Sequence, residues 1–137
     1  MNLETLQDLS TDFLARGEHF LYYVFNTIPK FIEQENIKVI YPVFEAETLK
    51  VLSVFVFTDK KVWNFEPDGN MMNTAVYRYD QIKSMQINSS IMGGTFINVT
   101  ITFDNGTFIY LDSEKDIYDP LWRSYSKDIY EIVALIS

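Results

Sequence analysis

The stretch Thr95-Phe-Ile-Asn-Val-Thr-Ile-Thr-Phe-Asp-Asn-Gly-Thr-Phe-Ile-Tyr-Leu111 decides the fold class. Apolar side chains fall at Ile97, Val99, Ile101 and Phe103, and polar ones at Asn98, Thr100, Thr102 and Asp104. That period of two belongs to a strand with one buried face. Asn105-Gly106 supplies two residues that tolerate positive φ, which a two-residue type I′ turn needs. The chain then returns through Phe108, Ile109, Tyr110 and Leu111. The pattern predicts a β-hairpin, and the region before it reads the same way.

Working back from this hairpin, five more strands are expected. Lys38 to Phe44 is the first, and Pro42 confines it to an edge or a bulge because proline cannot donate to a ladder. Lys50 to Thr58 is apolar almost throughout, as in a strand covered on both faces. Lys61 to Phe65 follows a turn at Asp59-Lys60. Pro67-Asp68-Gly69-Asn70 is the next turn signal. Thr74 to Tyr79 and Ile82 to Asn88 complete the set, with Ser89 to Gly94 as a loop.

Helical spacing marks both ends of the chain. Leu3, Leu6, Leu9, Phe13 and Leu14 recur at three and four, and Gly17 can end that helix. Glu18 to Phe25 continues as an aromatic-rich helix, which Pro29 should kink or restart before Asn36. Asp119-Pro120 signals another helix start, an N-cap carboxylate followed by proline. Leu121, Tyr125, Ile129, Ile132, Val133 and Ile136 then form one apolar stripe, with Trp122 at its edge. The expectation is one domain in three parts: a helical segment at 1–37, a seven-stranded antiparallel barrel at 38–111, and a capping helix at 112–137.

Composition excludes several functions. Apolar residues at 47% and aromatic ones at 16% rule out a disordered chain. The formal net charge is −8, with six acidic and two basic groups in residues 1–37 but a near balance in 38–111. Polyanion binding rests on clustered Lys and Arg, so neither nucleic acid nor an anionic membrane is an expected partner. There is no cysteine, no basic n-region before an apolar run, and no run of membrane-spanning length. The expected location is the cytoplasm. One histidine and no cysteine leave no set of zinc ligands, and no metal or cofactor is expected.

Seven strands followed by one amphipathic helix is the element order of the pleckstrin-homology (PH) fold. Phe57-Thr-Asp-Lys-Lys-Val-Trp63 resembles a strand-turn-strand segment of bacterial PH-like and GRAM-like domains. Tyr79-Asp-Gln-Ile-Lys-Ser-Met85 and Ile101-Thr-Phe-Asp-Asn-Gly-Thr-Phe-Ile-Tyr110 resemble two further strands of theirs. The resemblance covers residues 38–137 and implies an α+β fold, a barrel closed by the last helix, with the N-terminal helices as an addition. Trp122 matches the tryptophan found in the last helix of the eukaryotic branch. Phosphoinositide binding is not implied. The first hairpin turn, Phe44-Glu-Ala-Glu-Thr-Leu-Lys50, offers two carboxylates and one lysine where a polyphosphate needs converging cations.

No catalytic set is legible. His19 stands in an aromatic helical setting, Glu45 and Glu47 share a turn, and Gly93-Gly94 lacks the lysine and helix of a phosphate loop. The candidate partner-binding residues are Met71, Met72, Ile91 and Met92, apolar where loops are expected, and Tyr22 and Tyr23 on the second helix. The methionine and isoleucine pairs either form a contact patch or fold under the barrel as plugs. The expected function is a non-enzymatic PH-like interaction module that binds a protein partner or itself. The alternatives are a carrier of small molecules or peptides, using the barrel mouth or a groove under the helices, and an acidic inhibitor or immunity-type protein covering a basic partner.

Overall fold

A computed structural model of the chain describes residues 1–45, 48, 50–92, 96–117 and 122–137, with the backbone alone at 122 and 123. Helices α1 (Leu3–Ala15) and α2 (Phe20–Phe31) come first. Seven strands follow: β1 (Ile37–Phe44), β2 (Val51–Thr58), β3 (Lys61–Asp68), β4 (Met71–Arg78), β5 (Ile82–Ser89), β6 (Ile97–Phe103) and β7 (Phe108–Asp112). Helix α3 (Trp122–Ile136) is last. The strands form two antiparallel sheets, in the orders β1-β2-β3-β4 and β5-β6-β7. The described residues therefore form an α+β fold of two sheets and three α-helices. Among the described residues the strand pairing does not close the sheets into one seven-stranded barrel.

The break between the sheets has a local cause. Tyr79–Gln81 is a single 3-10 turn after β4. Its first residue donates to Lys60 O at 3.0 Å, in the β2–β3 turn of the first sheet, and its last accepts from Asp104 N at 2.8 Å, in the β6–β7 turn of the second. The turn thus hands the chain from one sheet to the other. Across the gap Tyr77 stacks on Phe103 with centroids 4.8 Å apart.

The core lies between the sheets and under the helices. β6 buries Ile97, Val99, Ile101 and Phe103 on one face, as the period of two requires. β2 is buried on both faces, with α2 packed over one of them. α1 buries Leu6, Leu9 and Phe13, and α3 buries Tyr125, Ile129 and Ile132 against β1 and β6. Leu121 and the side chain of Trp122, expected at the start of this stripe, lie outside the described residues.

Four local expectations change. Pro29 lies inside α2 and does not restart it, because it falls in the last turn and Ile32 N still reaches Ile28 O at 2.9 Å. The 105–106 turn is not a two-residue type I′ turn. Phe103 N bonds to Thr107 O at 2.8 Å, so three residues lie between the closing pair, and Gly106 takes the positive φ of +87°. Met71 and Met72 belong to a strand, not a loop: they face Asp68 and Pro67 across a turn that Gly69 makes with φ +58°. The plug reading fails for Met71, Ile91 and Met92, which are 73%, 94% and 88% exposed. Only Met72 is half-buried against the core. Pro42 does sit on an edge strand, β1.

A buried polar knot joins β1, β7 and α3. The Asp116 carboxylate accepts from Tyr41 Oη at 2.8 Å and from Asp112 N at 2.6 Å. Tyr125 Oη donates to Pro42 O at 2.6 Å, and its ring meets Tyr41 edge-on at 4.9 Å. Burial pushes the Asp116 carboxyl up to about 6, although the hydrogen bonds from Asp112 N and Tyr41 pull it down. Near it, the Met1 ammonium lies 2.7 Å from Asp128 and donates to Ile40 O at 2.7 Å. Burial also raises the Asp128 carboxyl, against the pull of that ammonium.

Candidate functional site

Two local structures build a groove between α2 and the β3–β4 hairpin. On the helical side, α1 ends at Gly17, whose φ of +88° suits only glycine well. Glu18 N bonds back to Phe13 O at 2.9 Å and Gly17 N to Leu14 O at 3.1 Å, the paired bonds of a Schellman ending. The Glu18 carboxylate then accepts from Phe20 N at 2.9 Å and so caps the start of α2. This sharp reversal places His19 and Tyr23 along one wall. On the other wall the tight turn at Gly69 brings Pro67, Met71 and Met72 to face them. The space enclosed is about 630 Å³.

The walls mix apolar and polar surface and are exposed. Tyr23 is 57% exposed, and His19 and Met71 are open to solvent as well. Two of its polar groups are committed locally. Thr27 Oγ1 donates to Tyr23 O at 2.7 Å, and the Glu18 carboxylate holds the helix start. The groove therefore offers a phenol, a thioether surface, one imidazole and one carboxylate rim. Such a surface is suited to recognition by contact and shape.

The structure brings together three of the six sequence candidates: Tyr23, Met71 and Met72. Tyr22 lies beside them on α2, its ring 5.9 Å from that of Tyr23, but does not line the groove. Ile91 and Met92 stand apart, just beyond β5. Gly93, Gly94 and Glu47 lie outside the described residues. Sequence reasoning placed His19 in an aromatic helix but gave no sign that it meets the β3–β4 hairpin, which is far along the chain. The Asp112–Asp116 knot was also missed; its one sequence signal is two acids four apart, the first at the end of a strand.

A second cleft, of about 380 Å³, lies at the β2–β3 turn and is lined by Asp59, Lys60, Lys61, Arg78, Tyr79 and Asp80. It holds three cations and two carboxylates, and Arg78 pairs with Asp80. Tyr79 Oη donates to Thr58 O at 2.7 Å, and burial raises its phenol well above the usual range. Among the described residues no three His, Asp or Glu side chains are grouped to hold a metal ion. None of the described helices is long and apolar enough to cross a membrane. No known protein family model matches the chain, and no curated protein matches it.

Proposed function

We propose that the chain is a non-enzymatic, cytoplasmic interaction module of PH-like architecture that holds a segment of a partner protein between α2 and the β3–β4 hairpin. The order of four strands, three strands and a helix supports the PH-like reading. The observation that carries the binding site is the convergence of Tyr23, Met71 and Met72, exposed or half-exposed, on one groove. Methionine and tyrosine give adaptable contact area at low cost in ordering. One wall is formed by residues 1–37, which carry six acidic and two basic groups. The segment that fits is therefore an apolar side chain flanked by lysine or arginine.

The test is affinity capture from the source cells with the full chain and with Tyr23→Glu and Met71→Glu. Both side chains are exposed, so the fold survives either change. The expected result is a defined protein that the full chain retains, that both variants lose, and that salt weakens. A captured set unchanged by both substitutions overturns the assignment.

The size of the groove favours one further reading. Its 630 Å³ lies within the roughly 300–1,000 Å³ typical of small-molecule sites, which fits a carrier. Native mass spectrometry of the purified chain separates the two. A stoichiometric small-molecule adduct that Met71→Glu abolishes supports the carrier.

A further inference from the structure

β5 is an edge strand, and among the described residues no strand pairs with its outer side. Which residues face the open side follows from the ladder. Ser90 N bonds to Phe96 O at 3.1 Å, so Ser90 and Phe96 are a hydrogen-bonded pair, and Asn88–Asn98, Gln86–Thr100 and Ser84–Thr102 share that parity. On the other side of β6, the Phe103 N–Thr107 O and Ser113 N–Ile97 O bonds commit the odd-numbered residues of β6 to β7. The two observations agree. Met85, Ile87 and Ser89 therefore aim their N–H and C=O groups away from the sheet.

Natural edges carry charge, proline, bulges or a cover. The other three edges show such devices or a separate use. β1 holds Pro42, and Met1 covers it by exchanging both backbone bonds with Ile40. β7 has only five residues. β4 borders the groove described above. In β5 the protection is confined to the start, where Lys83 falls at a register shift between Ile82 and Ser84. From Met85 to Ser89 there is no charge and no proline. Ile87 is 44% exposed there although it points to the same face as buried Val99, its partner on β6.

We infer that β5 is a self-association edge: two copies of the chain pair through antiparallel β5 strands related by a two-fold axis at Gln86. The occupant is a second copy because the strand complements itself. With Gln86 opposite Gln86 of the other copy, Met85 lies opposite Ile87, Ser84 opposite Asn88 and Lys83 opposite Ser89. Apolar meets apolar on the inner face, amide and hydroxyl meet on the outer face, and no like charges oppose. The outward-facing Met85 and Ile87 form the hydrogen-bonded pairs this register needs. The acidity of the chain lies mainly on residues 1–37 and 112–137, so the seam itself is free of carboxylates. Pairing joins two three-stranded sheets into one of six and is isologous, so it closes as a dimer. This inference is independent of the groove, which lies on the other sheet.

Analytical ultracentrifugation of the full chain, from micromolar to several hundred micromolar, tests it. A monomer–dimer equilibrium is expected, strengthened by salt because both copies are acidic. Ile87→Lys and Ile87→Pro should each weaken the dimer at least tenfold; Ile87 N–H faces the open edge, so proline fits the monomer. Gln86→Cys provides a readout that survives a misfolded variant. The chain has no cysteine, and the central pair places Cα atoms about 4.5 Å apart, within disulfide reach. Mild oxidation should link Gln86→Cys chains and leave Met71→Cys chains unlinked. A chain that stays monomeric throughout, a dimer untouched by both Ile87 variants, or equal linking at the two cysteine positions overturns the inference.

Discussion

Replacing Asp116 with asparagine should remove a pH dependence of stability that runs against the usual acid sensitivity of proteins. Asp116 is 7% exposed, and its carboxyl is raised from 3.8 to about 6 by burial. Between these values the folded chain binds the proton more tightly than the unfolded chain. The stabilisation is fully present below the unfolded value, about 4, and is lost as pH rises through about 6. Linkage over this window gives about 1.4 kcal/mol more stability at pH 5 than at pH 7.5 from this one group. Asp128, also raised by burial, contributes with the same sign. Asparagine keeps an oxygen that accepts from Tyr41 Oη and Asp112 N, so the fold is retained. Denaturant unfolding of both proteins at the two pH values is the assay. The gain on acidification should shrink by about 1.4 kcal/mol in Asp116→Asn. In Tyr41→Phe it should grow, because a hydrogen bond that favours the charged carboxylate is gone. Identical gains in the parent and Asp116→Asn would refute the reasoning.

Four other outcomes are expected. Tyr125→Ala should cost about 3–5 kcal/mol in denaturant unfolding, since the ring is buried against Tyr41, and ending the chain after Ile117 should leave it aggregated or unfolded. Gly106→Ala should cost about 1 kcal/mol by the same assay, a purely backbone effect because an added Cβ meets nothing within 4 Å. Vesicles carrying phosphoinositides should not co-sediment the chain at near-physiological salt, and saturable micromolar binding would contradict the charge argument.

Much of the fold was legible because burial writes a period. The alternation at Ile97, Val99, Ile101 and Phe103 gave β6, and the spacing of Tyr125, Ile129 and Ile132 gave the buried face of α3. Turn length was less legible. Asn105-Gly106 marked the right place, but the closing pair is set by register with β7, which local sequence does not carry. Met71 and Met72 looked like a loop because the proline and glycine before them suggested a longer break; cross-strand pairing with Pro67 and Asp68 decides otherwise. The groove was legible only as separate residues. Tyr23 and Met71 meet because the reversal at Gly17 and the turn at Gly69 face each other, a tertiary fact. Asp116 was invisible for the converse reason. An acid after a strand reads as a solvated turn, and only the packed structure shows it closed in by Tyr41 and the Asp112 backbone.

The central claim is that a protein segment occupies the groove at Tyr23 and Met71. Placing a photo-crosslinking phenylalanine analogue at position 23 of the full chain, in the cells that make it, tests this at the site itself. Position 38, an exposed lysine at the start of β1, serves as the control. Irradiation should yield one protein adduct at position 23, lost on Met71→Glu and absent at position 38. No adduct at position 23, or the same adduct at both positions, would contradict the account.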